Sequence, residues 1–494
     1  MPKKIIKGIN NLWVYISIIG LALIFTIKFI WFSELIRFFP INFSTDLALK
    51  ISELYFLANY GFHAVVPHWY NGFVVFQIYP PGWYFFSLPI YWLVGDYMYT
   101  AFISLIMMLL LGFLASYLIF KNQGFSKKII FFILFFMNPI IIDYIFFIGR
   151  FPELFAWAVY LFIFYLVFRY KDKKFDIYGI ILLILFFSII LISHQYVAIL
   201  ALFLIFSLFL IKPLREKTLM IVALISSLAL SSFFWIDFLR TLFDNPYAID
   251  PTGYQRGVLL DPSSLISFNT FVMTSWFVIF YFYNKEFIKN KKERLFFYSF
   301  LIFSVLVASR AITLIPFFRE VPANSYNLFF MSLSLWMLFK VRFPRDLAKV
   351  VKLSLLLIPI LTSFLVFSYR PESPIPYDFV QEDIIYLFSE IHERYIIIKN
   401  NELSDDNPLI SVATVGYNLS TPFGLYLSQM PKDLYDLFES MDNALKSRSC
   451  AEIAEKIEEL DVKNVITYRD SCGLLKECGF NLSIEKKNAC LFFA

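Results

Sequence analysis

Charge is scarce in this 494-residue chain: Asp, Glu, Lys and Arg make up only 16% of it, with four histidines. Hydrophobic residues reach 59%, aromatics 20% and the mean hydropathy +0.67. Soluble domains run nearer about 45 to 50% apolar. That scarcity excludes an ordinary soluble enzyme and points to a polytopic α-helical membrane protein. Phosphate cradles are missing as well, since the chain has no Walker loop and no G-x-G-x-x-G after a strand. A nucleotide-driven machine needs one. H-E-x-x-H and G-x-S-x-G are also absent, and no cysteine precedes Cys450. We see no internal repeat of the kind that marks many transporters.

What the chain has in quantity is long apolar runs. Crossing a hydrocarbon core takes about 20 residues, and eleven runs approach that length: 11–32, 98–120, 129–148, 154–168, 177–192, 197–211, 219–239, 265–283, 295–317, 328–339 and 350–367. Alternate connections between them are basic, for example Lys3, Lys4 and Lys7, then Lys121, Lys127 and Lys128, then Arg169, Lys171, Lys173 and Lys174. Lys and Arg are retained on the cytoplasmic side. The alternation therefore predicts a multi-pass protein of the cell membrane, with a cytoplasmic N-terminus and an extracytoplasmic C-terminus. The net charge of +5 reads as a topology signal, not as a sign of nucleic-acid binding. The apolar run behind Lys7 exceeds the core of a signal peptide and lacks a small-x-small cleavage site. It reads as an uncleaved first span.

Two domains are expected. Residues 1–369 form the membrane domain with an external first loop at 34–97, and residues 370–494 form a small extracytoplasmic α/β or α+β domain entered through the proline-rich RPESPIPYD. Within the second, helices are expected at 382–397 and 451–460, and strands at 409–415, 462–468, 482–486 and 490–493. Cys450, Cys472, Cys478 and Cys490 all lie there. An even count fits two disulfides on the oxidising side with three connectivities open, or else buried thiols. Asn42, Asn418 and Asn481 begin N-x-S triplets.

Candidate functional residues stand out because they are polar in apolar sequence. The first loop holds Asp46, Glu53, His63 and His68. Further along come Gly149-Arg150-Phe151-Pro152-Glu153, then Ser193-His194-Gln195, then Arg310 with Arg319 and Glu320, and a longer segment from Arg240 to Asp261. Ser44 or Thr45 is placed to cap a helix running to Tyr60. Asp46 then either complements the helix dipole or serves as a general base, with Lys50 and Glu53 one and two turns on. Arg150 and Glu153 suit a helix-end pair at i, i+3 or a phosphate contact. His194 suits an interfacial position or the site. Arg310 and Arg319 stand against the positive-inside bias, and guanidinium is the preferred partner of phosphate. His63, His68, Asp46 and Glu153 also make a divalent metal a candidate.

The run from Asp46 through His63, Pro67-His68-Trp69, Asn71-Gly72 and Tyr79-Pro80-Pro81-Gly82-Trp83 resembles the first external loop of multi-spanning glycosyltransferases of the C superfamily (GT-C fold). The resemblance is greatest to the prokaryotic membrane proteins labelled "6-pyruvoyl-tetrahydropterin synthase-related". It implies a transferase moving a sugar from a polyprenyl-phosphate-linked donor to a lipid, glycan or protein acceptor of the cell envelope. Asp46 is then the catalytic base, aided by Glu53, and Arg310 with Arg319 hold the lipid phosphate. Read from their own sequence context, not from the resemblance, Arg150, Glu153, His63, His68 and His194 are the further candidates for substrate binding. No adjacent D-x-D or E-x-D pair stands in the first loop. The alternatives are a transporter or flippase of lipid-linked glycans, or a non-catalytic envelope scaffold.

Overall fold

The computed structural model describes residues 18–41, 45–244, 265–284, 291–315, 318, 321–340, 377–403, 407–424, 430–468 and 471–494. Three of its helices are long and apolar enough to cross a membrane: α1 (Ile18–Ile36), α4 (Tyr97–Ile119) and α7 (Phe151–Tyr170). At 1.5 Å per residue the shortest, with 19 residues, covers about 28 Å. Two bent pairs raise the number to five, namely α5 (Phe125–Phe136) with the segment Ile140–Ile148, and α10 (Leu214–Leu230) with α11 (Ser232–Asp244). α8 (Ile177–Leu191) and α9 (Gln195–Ile211) are apolar but shorter. Of the eleven runs expected to span, three to five among the described residues are helices long and apolar enough to cross a membrane, and the run 350–367 lies outside the described residues.

Local chemistry explains the first of these bends. Asn138 caps the short α6 (Pro139–Asp143), its Oδ1 accepting from the amides of Ile140 and Ile141 at 2.9 and 3.1 Å. Pro139 then stands in the first turn, where its missing N–H costs nothing. Capping restarts the helix at 58° to α5 inside what reads in sequence as one apolar run.

Helix α7 is the axis of the bundle. Its side chains are buried almost without interruption from Phe151 to Phe164, as expected of a helix apolar on all sides. α3 (Gly82–Val94), α4, α8 and α9 pack around it. α12 (Leu265–Asn284), α13 (Lys291–Ala308) and α14 (Ala323–Lys340) complete the described part of the bundle, with Tyr160 of α7 bonded to Ser332 of α14 at 3.2 Å.

The described residues of the first loop form regular elements. α2 (Thr45–Asn59) leads to a two-stranded ribbon, β1 (Val65–Val66) and β2 (Phe73–Val74), and then to α3. Phe56 and Trp69 meet edge to face at 4.6 Å, and Phe76 meets Tyr84 at 4.7 Å.

The C-terminal region builds a five-stranded sheet in the order β4-β3-β5-β7-β6, from β3 (Tyr395–Lys399), β4 (Glu402–Leu403), β5 (Asn464–Tyr468), β6 (Asn481–Glu485) and β7 (Ala489–Phe493). β3 and β5 pair in parallel and the other neighbours antiparallel. Two of the sequence expectations are corrected here. The helix expected at 382–397 ends as α15 (Phe379–Phe388), and Tyr395–Lys399 is a strand. The strand expected at 409–415 is α16 (Asn407–Tyr417). α17 (Lys432–Ser447), α18 (Cys450–Glu459) and α19 (Ser471–Glu477) complete the region. Cys450 joins Cys478 and Cys472 joins Cys490, so none of the four is a free thiol. Of the triplet asparagines, Asn481 is exposed on an edge strand, Asn418 accepts from Tyr55, and Asn42 lies outside the described residues.

The C-terminal region does not stand apart from the first loop. Helix α16 packs on α2, and polar contacts fix the register. The Tyr55 hydroxyl donates to Asn418 Oδ1 at 2.7 Å, Trp69 Nε1 to Thr414 Oγ1 at 3.1 Å, and the Thr421 amide to the His68 carbonyl at 2.8 Å.

Candidate active site

Helix α2 carries Asp46, Lys50 and Glu53 at i, i+4 and i+7, which is one face of a helix. Leu47, Ala48, Ile51 and Leu54 are fully buried between them. Asp46 sits at the first turn and stays 40% exposed, whereas Lys50 and Glu53 are buried as a pair with Nζ to Oε2 at 3.4 Å. The Tyr84 hydroxyl also donates to Glu53 Oε2, and Lys50 Nζ lies 3.5 Å from the ring centre of Tyr79. Burial alone would lower the Lys50 pKa, but Glu53, Tyr79 and Asp46 outweigh it and raise the ammonium above its ordinary value.

A second element brings Arg150 and Glu153 to the same place. Gly149 adopts the left-handed conformation, φ +82°, that ends the turn Tyr144–Ile148, a reversal that disfavours residues with a Cβ. Arg150 follows at the N-terminus of α7, Pro152 occupies the first turn, and Glu153 complements the helix dipole. Arg150 bridges the two elements. Its Nε lies 3.8 Å from Asp46 Oδ2 and its Nη1 3.7 Å from Glu153 Oε2. Both are ion-pair distances too long for hydrogen bonds. Burial lowers its pKa less than Glu153, Tyr144 and Asp46 raise it, so the guanidinium is held charged.

Glu153 is the floor of the site, 1% exposed. Its Oε1 accepts from the Tyr144 hydroxyl at 3.0 Å, Ser325 Oγ at 3.1 Å and Trp157 Nε1 at 3.5 Å. Its Oε2 faces Arg150 and, at 3.7 Å, His194 Nε2, without a hydrogen bond. His194 precedes α9, where the turn Ile192–His194 is pressed against Gly82 at the start of α3. The Gly82 amide donates to the Ile192 carbonyl, and a Cβ at Gly82 would lie 2.2 Å from Ser193 Oγ. Only glycine permits this approach.

Burial pushes the His194 imidazolium below its ordinary pKa, against the pull of Glu153 and with help from Arg150 and Lys50. The imidazole is therefore neutral at pH 7. A depressed histidine pKa means that the unfolded chain takes up the proton first as pH falls below about 6.5. Its contribution is full above that pH and is lost on acidification. Wild type should lose more thermal stability between pH 7.5 and pH 5 than His194→Gln, a difference readable from unfolding midpoints at the two pH values. Equal losses would show that His194 carries none of the dependence.

The other sequence candidates take different positions. His68 is buried with Nε2 2.9 Å from the Tyr60 hydroxyl and Nδ1 3.0 Å from the Leu419 carbonyl, so it links the first loop to the C-terminal region. His63, φ +56°, stacks on Phe62 at 3.8 Å and pairs with Asp237 of α11 at 3.1 Å. Arg310, φ +63°, heads the one-turn helix Ala311–Leu314. Arg319 and Glu320 lie outside the described residues, as does most of the segment from Arg240 to Asp261. The four proposed metal ligands do not gather: among the described residues no group of three or more His, Cys, Asp or Glu side chains is arranged to hold a metal ion. Sequence reasoning quoted Tyr79 without giving it a site role and left out Tyr84, Tyr144 and Ser325. The i, i+4, i+7 spacing marks Lys50, but nothing in sequence marks Ser325, which reaches Glu153 from 172 residues away.

No protein-family model matches the chain, and no curated protein matches it. Among solved structures it is similar to the Archaeoglobus fulgidus oligosaccharyltransferase in the apo form, with a TM-score of 0.49 and 11% identity over 92% of this chain and 69% of that one. It is also similar to the archaeal oligosaccharyltransferase AglB from Archaeoglobus fulgidus in complex with an inhibitory peptide and a dolichol-phosphate. There the TM-score is 0.48 and the identity 10%, over 93% and 69%. The Archaeoglobus fulgidus enzyme in complex with Zn and sulfate gives 0.49 and 12%, over 90% and 67%. Similarity at this level transfers neither residue roles nor activity to the present chain.

Proposed function

We propose that the chain is a membrane glycosyltransferase that moves a sugar from a polyprenyl-phosphate-linked donor to an acceptor on the external membrane face. The observation that carries this reading is the gradient of exposure across one ionic cluster. Asp46 is open at the mouth, Arg150 lies behind it, and Glu153 is sealed at the floor. An open carboxylate is what deprotonation of an acceptor requires, and a fixed cation beside it stabilises charge on a departing phosphate. In the transfer the acceptor oxygen or nitrogen bonds to the anomeric carbon, the bond from that carbon to phosphate oxygen breaks, and the acceptor proton passes to Asp46. The lipid phosphate leaves with the bonding electron pair. A lipid-linked donor carries its own leaving group, which agrees with a chain that has no nucleotide cradle.

A place for the lipid tail is also at hand. α9, α10 and Phe318 enclose an apolar cleft of about 400 Å³ lined by Ile199, Leu202, Phe203, Phe206 and Leu224. Arg310 is eight residues before Phe318 and adopts the left-handed backbone that non-glycine residues seldom accept. Strain of that kind concentrates at functional sites. In this reading Arg310, with Arg319, takes the lipid phosphate. The C-terminal region, docked on the first loop through α16, would stand over the acceptor side.

The deciding experiment is a profile of lipid-linked sugars in cells with and without the gene. A donor that accumulates on deletion and is cleared by the wild-type gene supports the transferase, and an unchanged profile overturns it. Arg310→Lys keeps the charge but loses the planar fork. Binding of a polyprenyl-phosphate probe should weaken about tenfold or more in Arg310→Lys, and should disappear in Arg310→Glu. Unchanged binding in Arg310→Glu would remove Arg310 from the site.

A further inference from the structure

We infer that Arg150 is a built-in cation occupying the position where paired carboxylates would otherwise hold a divalent metal, so that this site works without one. The inference deepens the transferase reading, but its ion-binding test stands independently of it.

The donor set argues the point. Asp46 and Glu153 come from two elements to one shared centre, and His194 Nε2 lies 3.7 Å from Glu153 Oε2. Carboxylates and imidazole are ligand types that suit zinc or manganese. The centre is filled by a guanidinium, which contacts Asp46 Oδ2 through Nε at 3.8 Å and Glu153 Oε2 through Nη1 at 3.7 Å. Metal ligands stand at about 2.0 to 2.6 Å from their ion. An ion that close to both acids would have to share the space of a group of like charge. Glu153 is unsuited in a second way, because Tyr144, Ser325 and Trp157 already aim their donors at Oε1. That leaves only Oε2, which faces Arg150 and His194.

The arrangement performs the electrostatic part of a metal's work. A guanidinium has five N–H donors in a rigid fork and cannot be deprotonated in a protein. Arg150 keeps Asp46 and Glu153 from repelling one another. Its side chain is 30% exposed, so part of it stays accessible to an anionic leaving group. A fixed cation of this kind needs no ion from solution and cannot be stripped by a chelator.

The test uses the full chain in detergent or nanodiscs, with Mn²⁺ as the probe read by electron paramagnetic resonance and by calorimetry. Wild type should show no saturable Mn²⁺ binding that depends on Asp46 or Glu153, and EDTA should leave its unfolding midpoint unchanged. Arg150→Ala vacates the centre and should gain saturable Mn²⁺ binding, which Arg150→Ala/Glu153→Gln should lose. If Arg150→Ala fails to fold, Arg150→Gln, which keeps most of the volume, replaces it. Saturable Mn²⁺ binding by wild type that is abolished by Asp46→Asn or Glu153→Gln would overturn the inference. So would a folded Arg150 variant that gains none. Loss of sugar-transfer activity in the cellular profile would leave these outcomes untouched, so the two readings fail separately.

Discussion

Asp46→Asn should reduce sugar transfer by about 10² to 10⁴ while leaving the protein folded and at its normal membrane level. The magnitude is the usual worth of a general base, and the amide preserves the shape of the carboxylate while removing its basicity. Stability should hardly change, because the pair that Asp46 makes with Arg150 is partly exposed and longer than a hydrogen bond, and such pairs contribute about 1 kcal/mol or less. Product formation per unit of folded protein is the measurement. Glu53→Gln is the informative companion, since Glu53 is sealed against Lys50 and Tyr84 and has no open side for an acceptor. It should lower the unfolding midpoint more than it lowers the rate of the protein that remains folded. Full activity in Asp46→Asn would remove Asp46 from the mechanism.

The polar outliers were legible in sequence because burying a charge beside a bilayer is expensive and a chain this apolar retains few without cause. Asp46, Glu53, Arg150, Glu153 and His194 were visible on that ground, and the structure gathers them. Their connectivity was not visible. That Arg150 spans two acids depends on the reversal at Gly149 and on the turn Tyr144–Ile148 packing on α2, and neither leaves a periodic signal. His63 and His68 looked alike in sequence, yet one pairs with Asp237 and the other bridges to Leu419, because their partners lie 174 and 351 residues away. Hydropathy registers apolar length but not bends, so 129–148 read as one span although Asn138 and Pro139 break it. The segment 409–415 read as a strand from Ile410, Val412, Thr414 and Val415. Packing on α2 decided for helix, as tertiary contacts commonly override such local preferences. Hairpin and sheet strands near the C-terminus were placed within a few residues because β5 and β7 are short apolar runs bounded by polar turns.

Glu153→Ala should cost about 3 to 5 kcal/mol of stability, the range measured when one partner of a buried ion pair is removed. The loss has two parts. Arg150 would keep a charge raised in pKa by its surroundings but with its buried counter-ion gone. Tyr144, Ser325 and Trp157 would lose the acceptor they share, and each buried donor left unsatisfied costs about 1 to 3 kcal/mol. Glu153→Gln separates the parts, since an amide oxygen still accepts at the Oε1 position while the charge opposite Arg150 disappears. Its loss should be about half that of Glu153→Ala. Replacing both members of the pair, in Arg150→Met/Glu153→Met, should restore the part of the loss due to the unpaired Arg150 charge, because exchanging a buried pair for apolar groups of similar volume is often neutral or favourable, while the donors of Tyr144, Ser325 and Trp157 stay without their acceptor. The comparison is made on unfolding midpoints of the full chain in one detergent at one pH. A double variant no more stable than the worse single variant would show that Glu153 holds the bundle through Tyr144 and Ser325 alone, with its charge contributing nothing.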